Sequence, residues 1–170
     1  MKHARVILVV LTVLVIAFGC QDHRHVTNSV LSVQSDRFSV HDRTLQPEIA
    51  SDAAARARGL QNRMPPKDGL ILLFPMEDKH SIWMPNCPED LEAWVISDQG
   101  TILEILELPA EPPRAKEEVD WLYHARLSRH RARHTARILW EFQAGTAKHW
   151  GVSPGDTITG NWPSLLESNH

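Results

Sequence analysis

The chain has only two cysteines in 170 residues, Cys20 and Cys87. That scarcity excludes a disulfide-rich scaffold and a zinc site built from several thiolates. A net positive charge is also lacking. The formal net charge is -3, so no global basic field points to nucleic acid as a partner. No segment repeats at a fixed period and no long low-complexity tract interrupts the chain. Apolar runs are short. The longest, from Val6 to Phe18, is thirteen residues. As a helix it would extend about 20 Å, against a hydrocarbon core of about 30 Å. Strand-like segments do not alternate regularly with long helices, which disfavours a parallel Rossmann-type sheet. What remains is ordinary for a globular protein, with 42% hydrophobic and 23% charged residues. The length suits one domain with a short appendage.

The appendage is the N-terminus. Lys2 and Arg5 precede the apolar run, as in a secretory signal peptide. The run ends in Ala17-Phe18-Gly19-Cys20, similar to a bacterial lipoprotein processing box with a large residue at Phe18. Residues 1-19 are therefore expected to be a signal peptide and Cys20 the lipidated first residue. A secretory signal cut nearby, or an uncleaved anchor, stays open. Gln21 after the anchor points by analogy to the outer membrane. The expected location is a periplasm-facing lipoprotein. Loss of Lys2 and Arg5 would move the side-chain charge to about -5. Residues 20-43 read as a lipidated start, a polar tether and an early strand in "VLSVQSDRFSV".

Beyond the tether, strand signals dominate. "TLQPEIA" is a strand confined to an edge by Pro47. "SDAAARARG" is a short helix capped by Ser51 or Asp52 and ended by Gly59. "LILLF" reads as a strand buried on both faces. "LEAWVIS" and "TILEILEL" flank "DQG", a hairpin signal. From 109 to 134 the pattern dissolves into an acidic, Pro-rich half and a basic, His-rich half. That stretch reads as a long surface loop with at most a marginal helix. "ARILWEF" restores a strand, "AGTAKHWG" a short helix, and "VSPGDTITG" a turn into a last strand. Six or seven strands and two short helices predict a compact, mostly antiparallel β-barrel or sandwich over 44-162, with a tail at 163-170. Gly59, Gly69, Gly145, Gly151 and Gly155 are the expected turn positions.

Three segments carry a resemblance: "ARARGLQNRMPPKDGLILLFP", "IWMPNC" and "ILWEFQAGTAKHWGVSPGD". In this order and spacing the chain resembles domain of unknown function 192, an uncharacterised bacterial and archaeal family. The resemblance covers about residues 45-162. It implies a small, β-rich single domain, often exported, and brings no activity with it. Three positions depart from the family pattern. Pro85 stands at a usual Lys, Cys87 at a usual Thr, and Glu92 at a usual Asp.

Four residue sets could carry chemistry. Cys87 would need a lowered pKa and a nearby base to act as a nucleophile. As a substitute for Thr it reads better as a half-buried corner residue. Arg63, Asn86, Glu92, Glu141 and Asp156 sit at strand ends or turns. They could converge to orient a polar ligand, or form a structural network in which Arg63 ties a loop to Glu92. Trp83, Met84, Trp94, Trp140, Trp150 and Trp162 read as core, or in part as a binding groove. His124, His130 and His134 could bind a metal, but Arg126, Arg129, Arg131 and Arg133 crowd them, so no metal and no cofactor are expected. A solvated basic loop able to touch anionic lipid or glycan is the simpler reading.

These observations lead to an exported, membrane-tethered, non-enzymatic binding or accessory module. Its expected groove is lined by Arg63, Trp83, Asn86 and Glu92. Its expected partners are the membrane, through the lipid, and an envelope ligand or protein. Two alternatives are a hydrolase using Glu92 with Asp156 or Glu141, and a purely structural domain.

Overall fold

A computed structural model describes residues 37-167. The expected signal peptide, Cys20 and most of the expected tether lie outside the described residues. The described chain is mostly β and sandwich-like, without a closed barrel.

Its centre is a five-stranded sheet in the order β3-β4-β9-β6-β7. The strands are β3 (Glu48–Ala50), β4 (Leu70–Asp78), β6 (Leu91–Ile96), β7 (Ile102–Leu108) and β9 (Ala136–Gln143). β3 and β4 run parallel, and the other pairs are antiparallel. β4 and β6 flank β9, so β9 lies inside the sheet. Its "ARILWEF" residues are all buried or half-buried. β6 is buried at all six positions. β3 stands at an edge, where the adjacent Pro47 removes no ladder donor. The "TLQPEIA" segment is in fact two strands. Pro47 separates β3 from β2 (Arg43–Leu45), which pairs instead with β1 (Phe38–Val40).

Alternation along the strands divides the core in two. On one face Ile71, Trp94, Ile138, Trp140 and Phe142 pack against Phe38, Leu45, Val152 and Ile158. On the other, Leu70, Leu72, Ala93, Val95 and Leu139 pack against Leu60, Ile82, Met84, Cys87 and Ala132. Most of the tryptophans belong to the first face. Trp94, Trp140 and Trp162 are buried there. Trp140 and Trp162 donate their indole N–H groups to the Asp68 and Ile158 carbonyls.

Gly69 shows why the entry to β4 tolerates no side chain. Its φ is 77°, and a Cβ there would lie 2.5 Å from the Trp140 ring nitrogen and 2.6 Å from the Glu141 carbonyl oxygen. The helix α1 (Ala53–Arg58) begins where expected. Asp52 accepts from the Ala55 N–H at 2.8 Å, and Gly59 returns its own N–H to the Ala55 carbonyl.

The described residues contain four helices, two more than the sequence suggested. The 109-134 segment holds α2 (Asp120–Arg126) and the short strand β8 (His130–Arg131). β8 pairs with β5 (Ser81–Ile82). No side chain caps α2 at Val119, so its local sequence signal is weak. Tertiary burial of Tyr123 holds it instead. The fourth helix, α4 (Trp162–Glu167), buries Trp162, Leu165 and Leu166. With Phe38 and Val40 it carries the core past the expected limits 44-162. The expected last strand is reduced to two isolated bridges, Thr101 with Thr157 and Ser39 with Thr159.

Candidate functional site

The structure does not gather Arg63, Trp83, Asn86 and Glu92 into one groove. Register explains why. Glu92 on β6 lies opposite Phe142, and Ala93 lies opposite Glu141. Residues opposite each other share a face, and successive residues alternate. Glu92 therefore points toward the tryptophan side of the sheet, and Glu141 toward the other.

Glu92 is only 6% exposed and its oxygens are occupied. Oε1 accepts from the Trp94 indole N–H at 2.9 Å and from the Ala147 N–H at 2.7 Å. Oε2 accepts from the Gly145 N–H at 2.8 Å. The carboxylate thus anchors the start of α3 (Thr146–Trp150), taking up N–H groups that the helix cannot satisfy itself. Arg63 is elsewhere. Its Nη1 pairs with Glu48 Oε2 at 2.7 Å, and its Nε donates to the Gly59 carbonyl. The expected tie from Arg63 to Glu92 is replaced by this pair with Glu48.

The Trp83–Cys87 corner is built into the fold. Asn86 has a φ of 52° and joins two neighbouring segments. Its carbonyl accepts from the Asn62 N–H at 2.9 Å. Its own N–H donates to the Tyr123 hydroxyl at 2.7 Å, and that hydroxyl donates back to Asn86 Oδ1 at 3.1 Å. Met84 is fully buried. Trp83 is half-buried, with the Arg129 guanidinium 4.0 Å above its ring and the His124 ring 5.2 Å away. Cys87 is 8% exposed, and burial with the nearby Glu141 charge pushes its thiol up to about 11. A thiol with so little thiolate is a poor nucleophile.

Beneath this corner, near the Gly59 turn, lies Glu141. It is 4% exposed, and its Oε2 finds no hydrogen-bond partner among the described residues. Burial raises its carboxyl to about 7, with Arg63 opposing the rise. Asp156 belongs to a third location. Its Oδ2 accepts from the Ser153 N–H at 2.8 Å and lies 3.3 Å from His41 Nε2. Gly59, Gly69, Gly145, Gly151 and Gly155 all have positive φ.

The histidines of the 109-134 segment serve separate contacts. His124 Nδ1 lies 3.2 Å from Asp120, while His130 on β8 lies opposite Ile82 on β5. The backbone N–H of His134 donates to Glu104 Oε1 at 3.1 Å.

Sequence reasoning did not single out a concavity of about 670 Å³ beside β7. Glu92, Ile105 and Glu107 line it from one face of the sheet, Glu104 and Leu108 from the other. Lys148 and Arg133 stand at its walls. The volume lies in the range of small-ligand sites. Glu104 is as fully used as Glu92. It accepts from the Arg133 side chain at 2.9 Å and from the Arg133 and His134 N–H groups. Burial pushes its carboxyl up, but those bonds outweigh burial and hold it below its ordinary value. The sequence signal was present in "TILEILEL", whose exposed edge depends on strand order. Trp121 was also missed. It is 71% exposed on α2, on the side of the helix away from buried Tyr123.

The family model described as Uncharacterized ACR, domain of unknown function 192, matches residues 36–160. No curated protein matches the chain. A crystal structure of a candidate transcription regulator from Sinorhizobium meliloti 1021 is similar at 28% identity and a TM-score of 0.60. It aligns with 75% of this chain and 94% of its own. A protein of unknown function from Novosphingobium aromaticivorans DSM 12444 is similar at 21% identity and a TM-score of 0.57. It aligns with 72% of this chain and 83% of its own. At that identity the second likeness speaks to the fold alone.

Proposed function

The chain belongs to the family of domain of unknown function 192, and from that premise we propose that it is a non-enzymatic binding module of the cell envelope, held at the membrane by a lipidated Cys20. One observation carries the binding reading. The concavity beside β7 has the volume of a ligand site, and its two buried carboxylates, Glu92 and Glu104, are already spent on backbone and side-chain donors. A general acid or base needs a free lone pair or proton facing the substrate. These two groups hold the walls in place instead. The hydrolase alternative pairs Glu92 with Asp156 or Glu141. Glu92 and Glu141 face opposite sides of the sheet, and Asp156 is engaged with the Ser153 N–H and His41.

Thermal-shift screening of the full-length chain in detergent tests this reading, with envelope oligosaccharides, peptidoglycan fragments and short peptides as probes. A ligand at 100 times its Kd would stabilise the domain by about 2.7 kcal/mol. Ile105→Glu should abolish the shift, since Ile105 lines the concavity. Turnover of any of these probes would overturn the non-enzymatic reading. Attachment has its own test. Labelled palmitate should enter the wild type and not Cys20→Ser.

A further inference from the structure

We propose that β7 accepts an added strand, so that the ligand of this concavity is an extended peptide segment whose backbone pairs with Glu104–Leu108. The proposal deepens the binding reading and rests on it.

Among the described residues, the sheet order leaves β7 with β6 on one side and no strand on the other. In an antiparallel pair, every second residue of such an edge turns its N–H and C=O away from its neighbour. The chain itself shows that this edge takes a backbone partner. The Ile102 N–H donates to the Asp156 carbonyl at 2.9 Å, and the Gly155 N–H donates to the Ile102 carbonyl at 2.8 Å. Beside them, Thr101 bridges Thr157. Among the described residues the ladder begins there and goes no further. The one irregularity in pairing with β6 falls between Ile102 and Glu104, at the end already closed. From Glu104 to Leu108 the register is regular. That stretch contains no Pro and no Lys, two residues that commonly block an edge.

The concavity wraps this edge and draws its lining from both faces of the sheet. An added strand sends alternate side chains to the two faces, so one peptide would fill both halves. The walls at Lys148 and Arg133 favour a single strand over the broad edge of a second copy. Charge is arranged along the edge. Arg133, held on Glu104, keeps 81% of its side chain exposed. Glu107 and Asp90 lie toward the other end. The peptide that fits carries an acidic side chain near Arg133 and a basic one near Glu107.

The test pans a displayed library of random nonapeptides against the full-length chain in detergent. The enriched peptide is then synthesised in two N-methylated forms, one at even and one at odd positions. Strand addition requires one form to lose affinity at least tenfold and the other to stay within about threefold, because only alternate N–H groups face β7. The change is made on the peptide, so the protein's folding does not enter. Glu107→Lys, on an exposed side chain, should reduce affinity about tenfold for a peptide selected with a basic residue. Equal loss in both methylated forms, absence of enrichment, or a β7-dependent dimer in sedimentation each overturns the proposal. If an oligosaccharide raises the melting temperature while peptides do not, strand addition falls and the binding reading stands. If no probe shifts it, both fall.

Discussion

Glu92 and Glu141 sit on neighbouring strands and face opposite sides of one sheet, because Glu92 is opposite Phe142 while Glu141 is opposite Ala93. Both are nearly sealed from solvent, at 6% and 4% exposure. Their chemistry differs through their partners. Glu92 is surrounded by donors, whereas Glu141 lies in an apolar setting with one oxygen unpartnered among the described residues. Glu92 is a fixed anchor, and burial raises the Glu141 carboxyl to about 7.

Glu92→Gln should destabilise the domain by about 1–3 kcal/mol. The amide keeps one acceptor but places an NH2 where Oε2 now accepts, or Oε1 if the group is flipped. In either orientation a backbone N–H, that of Gly145 or of buried Ala147, faces a donor. Urea unfolding reads the loss as a lower midpoint at unchanged slope. A variant as stable as the wild type would show that the start of α3 does not depend on this carboxylate.

Cys87 should resist thiol reagents until the protein unfolds. With its pKa raised to about 11, the thiolate fraction at pH 8 is about 1 in 1000. Burial slows access further. Modification by iodoacetamide at pH 8 should run at least a hundredfold faster in 6 M guanidinium, a denaturing condition chosen for the assay at roughly the upper end of protein unfolding midpoints. Rapid modification of the native protein would restore Cys87 as a reactive candidate.

The central sheet was legible because its strands announce themselves by apolar content and by turn residues such as Asp98-Gln99-Gly100. The division of the candidate site was not. Whether Glu92 and Glu141 share a face depends on which residues of β6 and β9 pair, and a shift of one position would reverse it. Arg63 shows the same limit, since Glu48, its partner, is fifteen residues away and on another element. Within 109-134, Pro and mixed charge masked α2, whose stability comes from burying Tyr123 rather than from its own caps. α4 did leave a readable signal. Asn161 before Trp162 and Pro163 is a helix-start pattern, and the Asn161 side chain accepts from the Ser164 N–H.

Tyr123→Phe should cost about 1–3 kcal/mol. It removes the hydroxyl that both accepts from the Asn86 N–H and donates to Asn86 Oδ1, while the ring still fills its buried site. The expected signature is local. Amide exchange should accelerate in α2 and at the Asn86 corner while β9 stays protected. Uniform acceleration over the sheet would mean that the corner is part of the global unfolding unit.

Glu141 makes stability fall as pH rises through a defined window. Its carboxyl titrates near 7 in the folded protein, against an ordinary value of 4.5. Between those values the folded state holds a proton that the unfolded state has released. Stability changes with pH in proportion to protons bound unfolded minus protons bound folded, so the slope there is negative. The contribution is fully present below about 4.5, declines toward 7, and is constant once both states are ionised. The full change is about 3 kcal/mol, at 1.36 kcal/mol per pKa unit. Glu141→Gln has no proton to lose, so its stability relative to wild type should rise across the same window. Urea unfolding from pH 4 to pH 8.5 measures both curves, with the pH range chosen to bracket the two pKa values. Parallel curves would show that Glu141 titrates alike folded and unfolded, and so that another group satisfies it. The unpartnered oxygen predicts curves that diverge.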